Sequence, residues 1–593
     1  MSTPGHQDRP AGRILLSIAA VLALVWASTG AFCATIPVHP GAEEETAEAD
    51  FLRFVDDRVL SLMRREHVPG LSLGIVDDQS TVVLRGYGYA DRDRDVPATA
   101  ETVYRAYSIA KIFTALETMR LVDEGLIGLD EPLEAALPEW REPRRREQSG
   151  PVTVRHLLAH RGGLPRNADF QGSLAEVRTD ALRVQVASLA DAWAAWPAGS
   201  RYKYSNVGYN VLGRIVETRR GEPFAHHMDE RVLPALGMRR SAFLLSALPP
   251  TADIATGYEY DGLRYHAHQP RDLVQLASGN LFTSAADCAA FMKRLMAAGE
   301  APDDALPRPG TLQEMYRPQY ARPSDPQRNG LGWMTSEQAL SEPMIWHQGG
   351  DFDANAVIAV LPRSRLGVVL LSNAGSYEGS KLVELAIDVF QRMLEKERGS
   401  VARQPDSSCE GSKESMNAVE TASCCGRYIA FGNALDVSCS GAKLKARLGP
   451  VTLSLDDAGM TESGAAFEPH HWLETLGLRG LFPIDLSQVR LVFPPGEADG
   501  LFVSVLDIDY EWCPRYPVRQ QLPEAWARMR GSYDGRRITT EDGMLRMSGV
   551  GFLEERAPGV FVVLGGPFAG ETVLYDADLE TLRHQGCTNP RGN

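Results

Sequence analysis

Ser108 and Lys111 stand three residues apart in the run Ser108-Ile109-Ala110-Lys111. On a helix that spacing puts both side chains on one face, so the amine can reach the hydroxyl. A serine at a helix start also has free backbone N–H groups around it, and its own N–H can help bind an oxyanion. An amine stripped of water and crowded by other donors can lose its proton and serve as a base. Two other stretches offer matching groups. Tyr204-Ser205-Asn206 holds a phenol and an amide, and a phenol flanked by ammonium donors is biased toward phenolate. His347-Gln348-Gly349-Gly350 holds an imidazole and, two residues on, a pair of glycines. The chemistry these groups suit is acyl transfer to a serine.

The Ser-x-x-Lys spacing alone is weak evidence, because Ser200-Arg201-Tyr202-Lys203 and Ser440-Gly441-Ala442-Lys443 share it. The first follows Pro197 and Gly199 and reads as a loop. The second contains glycine and lies among strands. Neither lysine is expected on a helical face with its serine.

The elements that must position these groups read as follows. A helix is expected over 49–66. Strands over 71–76 and 81–84 flank Asp77-Asp78-Gln79 as a hairpin. Ile109, Ile112, Phe113, Leu116 and Met119 recur at helical spacing from Ser108 to Glu124, and Gly125 ends that helix. The section to about residue 300 is mostly helical. Strands return over 356–361 and 366–372, and a helix over 381–396 closes the unit. Early strands, a long helical excursion and late strands imply one antiparallel sheet with a helical domain inserted into it. The cleft between the two is the natural ligand site. Asp91, Asp93 and Asp95 read as a solvated loop, and His226-His227 and His470-His471 as surface or packing residues.

Residues 398–423 are polar and rich in Ser, Glu and Lys, the mark of a linker. Beyond them, 424–593 reads as short β segments. Gly426-Arg427-Tyr428 and Gly531-Ser532-Tyr533 open similar stretches, which suggests a duplicated β unit: two small modules or one larger barrel.

The run Tyr104-Arg105-Ala106-Tyr107-Ser108-Ile109-Ala110-Lys111-Ile112-Phe113-Thr114-Ala115, with Leu121-Val122-Asp123-Glu124-Gly125 and Leu129-Asp130-Glu131-Pro132, resembles the serine β-lactamase-related family. So does Val154-Arg155-His156-Leu157-Leu158-Ala159-His160 with Gly162-Gly163-Leu164. That family includes class C β-lactamases, D-alanyl-D-alanine carboxypeptidases, D-aminopeptidases and esterases. The resemblance covers roughly residues 50–397. It implies an α+β fold of the β-lactamase/transpeptidase type: an antiparallel sheet flanked by helices, with an inserted helical domain, followed here by C-terminal antiparallel β modules. It also implies Ser108 as nucleophile, Lys111 and Tyr204 as the groups that move its proton, and Asn206 as the residue that holds the lysine and the substrate amide. The third motif of the family is matched by His347, whereas the other His-x-Gly matches, at His160 and His584, fall out of order. By the same resemblance the Gly350 and Ser108 N–H groups form the oxyanion hole. His347 acts electrostatically or through a hydrogen bond to Tyr204, and Gln348 and Gly349 border the substrate. Where family members that bind a substrate carboxylate have Thr or Ser, this chain has Gln348 and Gly350. That favours esters, amides or D-amino-acid peptides over penicillins. The competing reading is a non-turnover, penicillin-binding-like sensor or scaffold.

At 593 residues two or three domains are expected: a leader over 1–34, a hydrolase domain over 49–397, the linker and the β region. The net charge of −16 excludes nonspecific attraction to nucleic acid. Arg9 and Arg13, the apolar run Ile14 to Ala27, and Ala27-Ser28-Thr29-Gly30-Ala31 read as an export signal cleaved near Ala31 or Ala34. The run is short for a membrane span, which needs about 20 residues; an uncleaved anchor is the alternative. A periplasmic or secreted protein follows. There the late cysteines Cys409, Cys424, Cys425, Cys439, Cys513 and Cys587 could form up to three disulfides. Cys288 reads as a buried free thiol. With no Cys-x-x-Cys pair, neither a metal nor any other cofactor is expected. The expected ligand is a small-molecule, peptide or ester substrate, and the β region is expected to cap or gate the cleft or to bind a partner.

Overall fold

The computed structural model describes residues 47–398, except 78–79, 144–149, 168–179, 193, 195, 299–302, 321–327, 337–339, 341 and 376–378. From 426 onward it describes the strands named below and Met529. The expected leader, nearly all of the 398–423 stretch, His470-His471 and the side chains of the late cysteines lie outside the described residues. No helix among the described residues is long and apolar enough to cross a membrane.

The first helix, Ala47–Arg65, carries Glu48 and Asp50 in its first turn and Arg64 and Arg65 in its last, matching the helix dipole at both ends. Its Phe51, Val55, Val59 and Leu62 recur every three or four residues and are buried. They pack with Leu382, Ala386, Val389 and Phe390 of the helix Ser380–Arg398, so the two ends of the unit share one layer.

Eleven strands order this part of the chain: β1 Gly70–Asp77, β2 Thr81–Asp91, β3 Val96–Pro97, β4 Val103–Arg105, β5 Gly257–Tyr260, β6 Tyr265–His268, β7 Phe282–Ser284, β8 Met334–Ser336, β9 Met344–Asp351, β10 Ala354–Leu361 and β11 Leu366–Ser372. Seven of them form one sheet in the order β3-β2-β1-β11-β10-β9-β8. Early β1 pairs antiparallel with late β11, from Leu71 opposite Ser372 to Asp77 opposite Leu366. The chain between them makes the expected helical excursion. Both faces of the central strands are covered, and the side chains sort by the two-residue period of a strand. Leu71, Leu73, Ile75, Val357, Ala359, Val368 and Leu370 face the two terminal helices. Val76, Ala356, Ile358, Val360, Val369 and Leu371 face the inserted helices.

The helix Ala110–Asp123 is central to that second layer. Every residue from Ala110 to Met119 is buried, as befits a helix packed on all sides. It ends at Gly125, whose φ of 71° suits a residue without a side chain. Packed beside it is the helix Asn206–Arg220, capped by Ser205, whose Oγ accepts the Gly208 N–H at 3.0 Å.

The C-terminal stretch holds two eight-stranded antiparallel meanders. One runs from Gly426–Ala430 to Asp509–Pro514, the other from Gly531–Tyr533 to Cys587–Pro590. Their first strands are the two segments whose sequences repeat. In the first meander the opening strand lies against the last, so the sheet curls back toward itself.

One expectation needs correction. Asp93 and Asp95 are exposed, but Asp91 is buried at the end of β2. Its carboxylate accepts from the Thr256 hydroxyl at 2.8 Å and from Arg94 Nε at 2.9 Å. The strand runs seven residues further than its apolar core suggests and carries Asp91 inside with it.

Candidate active site

The site begins where β4 delivers the chain to a single 3-10 turn, Tyr107–Ile109, before the helix Ala110–Asp123. Tyr107 adopts a left-handed φ of 46°, which costs a bulky residue about 1–3 kcal/mol and persists only where its surroundings fix it. Here they do: its hydroxyl donates to the Asp353 carboxylate, and Arg105 Nη1 donates to that hydroxyl at 3.4 Å. This bend presents Ser108 at the mouth of the turn.

Lys111 lies one helical turn on and is fully buried. Its Nζ is 3.1 Å from Ser108 Oγ, 2.8 Å from Asn206 Oδ1 and 2.7 Å from the Ser278 carbonyl oxygen. No carboxylate is among these partners. Burial first, and the Arg166 cation second, hold this lysine well below its ordinary value. Tyr204, 96 residues along the chain, donates its phenolic O–H to Ser108 Oγ at 2.8 Å. Asn206 turns its amide nitrogen the other way, to Asn167 Oδ1 at 2.9 Å.

The third stretch arrives on β9, which runs past the 3-10 turn. His347 is buried, and burial above all pushes its imidazole down to about 3. It is therefore neutral near pH 7. Its Nδ1–H donates to the Gln348 carbonyl at 2.7 Å, which leaves Nε2 as a hydrogen-bond acceptor. The neutral ring has no charge to supply the electrostatic role expected of it. Gly349 makes the closest approach: a β-carbon there would lie 2.0 Å from the Ala106 oxygen and 2.8 Å from the Ser108 nitrogen. Gly350 follows it on the strand, opposite Asn355 of β10. Gln348 departs from the expectation. The two-residue period turns its side chain away from His347 and Gly349, and its Oε1 sits 3.3 Å from where a β-carbon of Gly379 would stand.

The Gly349 contact sets a test. In Gly349→Ala the new methyl must push β9 away from the turn that carries Ser108. Since a 1 Å displacement costs about 100-fold, kcat is expected to fall by at least that factor while the far-UV circular dichroism spectrum is kept. A variant with wild-type kcat would show that the contact does not constrain Ser108.

Two residues that the motifs did not assign also border the site. The Arg166 guanidinium stands 5.1 Å from the centroid of the Tyr204 ring. His160 stacks on that ring at 4.4 Å. Sequence reasoning met His160 as a His-x-Gly match and set it aside because it precedes Tyr204 in the chain. Among the described residues no cluster of His, Cys, Asp or Glu is arranged to hold a metal ion, and Cys288 is a buried free thiol.

Comparison with known proteins points the same way as this geometry. The family model described as Beta-lactamase matches residues 55–388, more than half of the chain. The chain belongs to the beta-lactamase family. Members of this family are mostly serine hydrolases. The chain is 26% identical over 325 residues to Protein flp of Staphylococcus aureus, a match covering 54% of this chain and 63% of that protein. It is 35% identical over 197 residues to Esterase EstB of Burkholderia gladioli, covering 31% of this chain and 47% of the esterase. This chain thus spans less than two thirds of the length of these curated relatives. Among solved structures it resembles SurE, with a TM-score of 0.54 and 19% identity, covering 92% of this chain and 100% of that one. It also resembles the octameric penicillin-binding protein homologue from Pyrococcus abyssi, with a TM-score of 0.50 and 23% identity over 78% of this chain and 99% of the other. At such identities these likenesses establish the fold alone.

Proposed function

We propose that this beta-lactamase family member is a serine hydrolase that cleaves an ester or amide through an acyl-enzyme on Ser108. The observation that carries the reading is the convergence of the Lys111 amine, at 3.1 Å, and the Tyr204 hydroxyl, at 2.8 Å, on Ser108 Oγ. A neutral lysine has two N–H groups and one lone pair. The carbonyl oxygens of Asn206 and Ser278 can only accept, so they take both N–H groups, and the lone pair is left facing the Ser108 hydroxyl. Lys111 then takes the proton as Ser108 attacks the acyl carbon. The Tyr204 O–H is placed to give a proton to the departing oxygen or nitrogen. The N–H groups of Ser108 and Gly350 stabilise the oxyanion, a contribution worth several kcal/mol when both donors are preorganised. Water, activated by the same amine and phenol, releases the acyl group and restores the hydroxyl. Asn206 fixes the amine and borders the substrate amide.

Gly350 offers no hydroxyl to a substrate carboxylate and the Gln348 side chain turns to the other face of β9, which favours esters, amides and D-amino-acid peptides over penicillins. A panel of p-nitrophenyl esters, D-Ala p-nitroanilide and nitrocefin, run beside Ser108→Ala, tests this. Turnover of an ester or the anilide above nitrocefin is expected, with none in the variant. Nitrocefin as the best substrate would overturn the ordering, and stoichiometric acylation without turnover would favour a sensor or scaffold.

In the same reading the protein is exported by residues 1–34, and 424–593 gates the cleft of a hydrolase domain at 49–397. A chain ending at Arg398 is then expected to shift the ratio of kcat/KM between large and small esters. An unchanged ratio removes the gating role.

A further inference from the structure

His160 touches the tyrosine segment at three points. Its carbonyl oxygen accepts the Lys203 N–H at 2.8 Å. Its Nδ1 accepts the Ser205 N–H at 3.1 Å. Between these anchors its ring lies on the ring of Tyr204, with centroids 4.4 Å apart and planes 28° from parallel. The residues on either side of Tyr204 are thus held by one histidine, and the phenol is laid against that histidine's face. The backbone of His160 is itself bent to do this, with a left-handed φ of 55°. It shares that conformation with Tyr107, the residue before the nucleophile. Such backbone strain in a non-glycine residue persists where the surroundings over-determine it, and it gathers at functional sites.

The imidazole is in the right state for this work. Because Nδ1 accepts from an N–H, the ring proton sits on Nε2, and a second proton would set N–H against N–H at Ser205. Burial first, helped by the Arg166 cation, keeps the ring well below its ordinary value. The Nε2–H is buried and has no hydrogen-bond partner among the described residues. An orphaned buried donor is destabilising, and an apolar aromatic residue would avoid that cost. What it would lack is the Nδ1 acceptor for Ser205.

We infer that His160 is a positioning residue for Tyr204, clamping residues 203–205 so that the phenolic oxygen meets Ser108 Oγ. The inference rests on the reading of Tyr204 as a proton-transfer group. It gives the histidine no contact with substrate and no proton to move. Its effect passes through Tyr204 alone.

A double-mutant cycle tests this. His160→Asn keeps a side-chain acceptor near Ser205, tolerates the left-handed backbone and removes the ring. His160→Phe keeps a ring and removes the acceptor. Each is made in the wild type and in Tyr204→Phe, and each is assayed with an activated p-nitrophenyl ester and by the rate of Ser108 phosphonylation with a fluorophosphonate. In the wild-type background each is expected to lower kcat by about ten- to a hundredfold, with KM changed less than about twofold. In the Tyr204→Phe background the same substitutions are expected to cost less than about twofold, because the group they position is gone. Circular dichroism and the melting midpoint identify variants that have lost the fold, and His160→Asn is the conservative member of the pair. Equal losses in both backgrounds, or wild-type rates in both His160 variants, would overturn the inference. A Tyr204→Phe enzyme as fast as the wild type would instead remove the role of Tyr204 itself.

Discussion

Ser108→Ala is expected to lower kcat/KM for every hydrolysed ester or amide by at least about 10³-fold, some 4 kcal/mol of transition-state stabilisation, with the fold retained. The substitution removes one oxygen from a half-buried position in the turn just before the helix Ala110–Asp123. The anchors of the site survive it. Lys111 keeps Asn206 Oδ1 and the Ser278 carbonyl, and Tyr107 keeps Asp353. What goes is the single atom on which the amine and phenol converge. Residual activity should come only from binding and the oxyanion donors acting on water. Steady-state kinetics with the best ester of the panel checks the loss, and a variant within tenfold of wild type would place the nucleophile elsewhere.

Lys111→Met is expected to cost at least as much activity, and its stability should carry a signature that Ser108→Ala lacks. The native amine is held well below the 10.5 of an exposed lysine, first by burial and then by Arg166. Between the lowered native value and 10.5, the unfolded chain binds a proton that the native chain does not. Unfolding free energy therefore rises with pH across that window, and Lys111 destabilises the fold at neutral pH. Methionine removes this penalty. It also strands two buried carbonyl acceptors, at about 1–3 kcal/mol each, and desolvating an ammonium costs several kcal/mol. The two effects are of similar size, so the difference at pH 7 is expected to be small. Its pH dependence is not in balance: from pH 7 to pH 10 the wild type should gain stability relative to Lys111→Met. Melting midpoints of both proteins at the two pH values check the sign. A gap that stays constant, or moves in the variant's favour, would mean that Lys111 is charged in the native protein.

Much of this site was legible because its central pair is local. Ser108 and Lys111 needed only the helical period and the buried run that follows them. Tyr204 and His347 were picked out through the order of three motifs, since nothing in their own neighbours marks them as parts of one site. The Ser278 carbonyl left no trace, because a backbone acceptor has no residue signature. His160 drew no role from the motifs for a related reason. Its function lies in contacts with Lys203, Tyr204 and Ser205, and these exist only once the chain has turned back through more than forty residues. In the fold, β1, β10 and β11 announced themselves as apolar runs buried on both faces. β9 did not, since His347-Gln348-Gly349-Gly350 has low strand propensity and is held extended by pairing with β10. Gln348 shows the same limit, as its face of the strand follows from a register that the motif does not encode. The paired openings at Gly426 and Gly531 were local again, and both begin eight-stranded meanders.

The central claim is that one serine hydroxyl is activated by a buried amine and a phenol. Its most direct test is peptide mass mapping after brief reaction with a fluorophosphonate at several pH values. A single adduct on the peptide bearing Ser108 is expected. It should form faster as pH rises through the ionisation of Lys111, be at least about 100-fold slower in Lys111→Met, and be absent from Ser108→Ala. An adduct on another residue, or labelling of Ser108 at an unchanged rate in Lys111→Met, would contradict it.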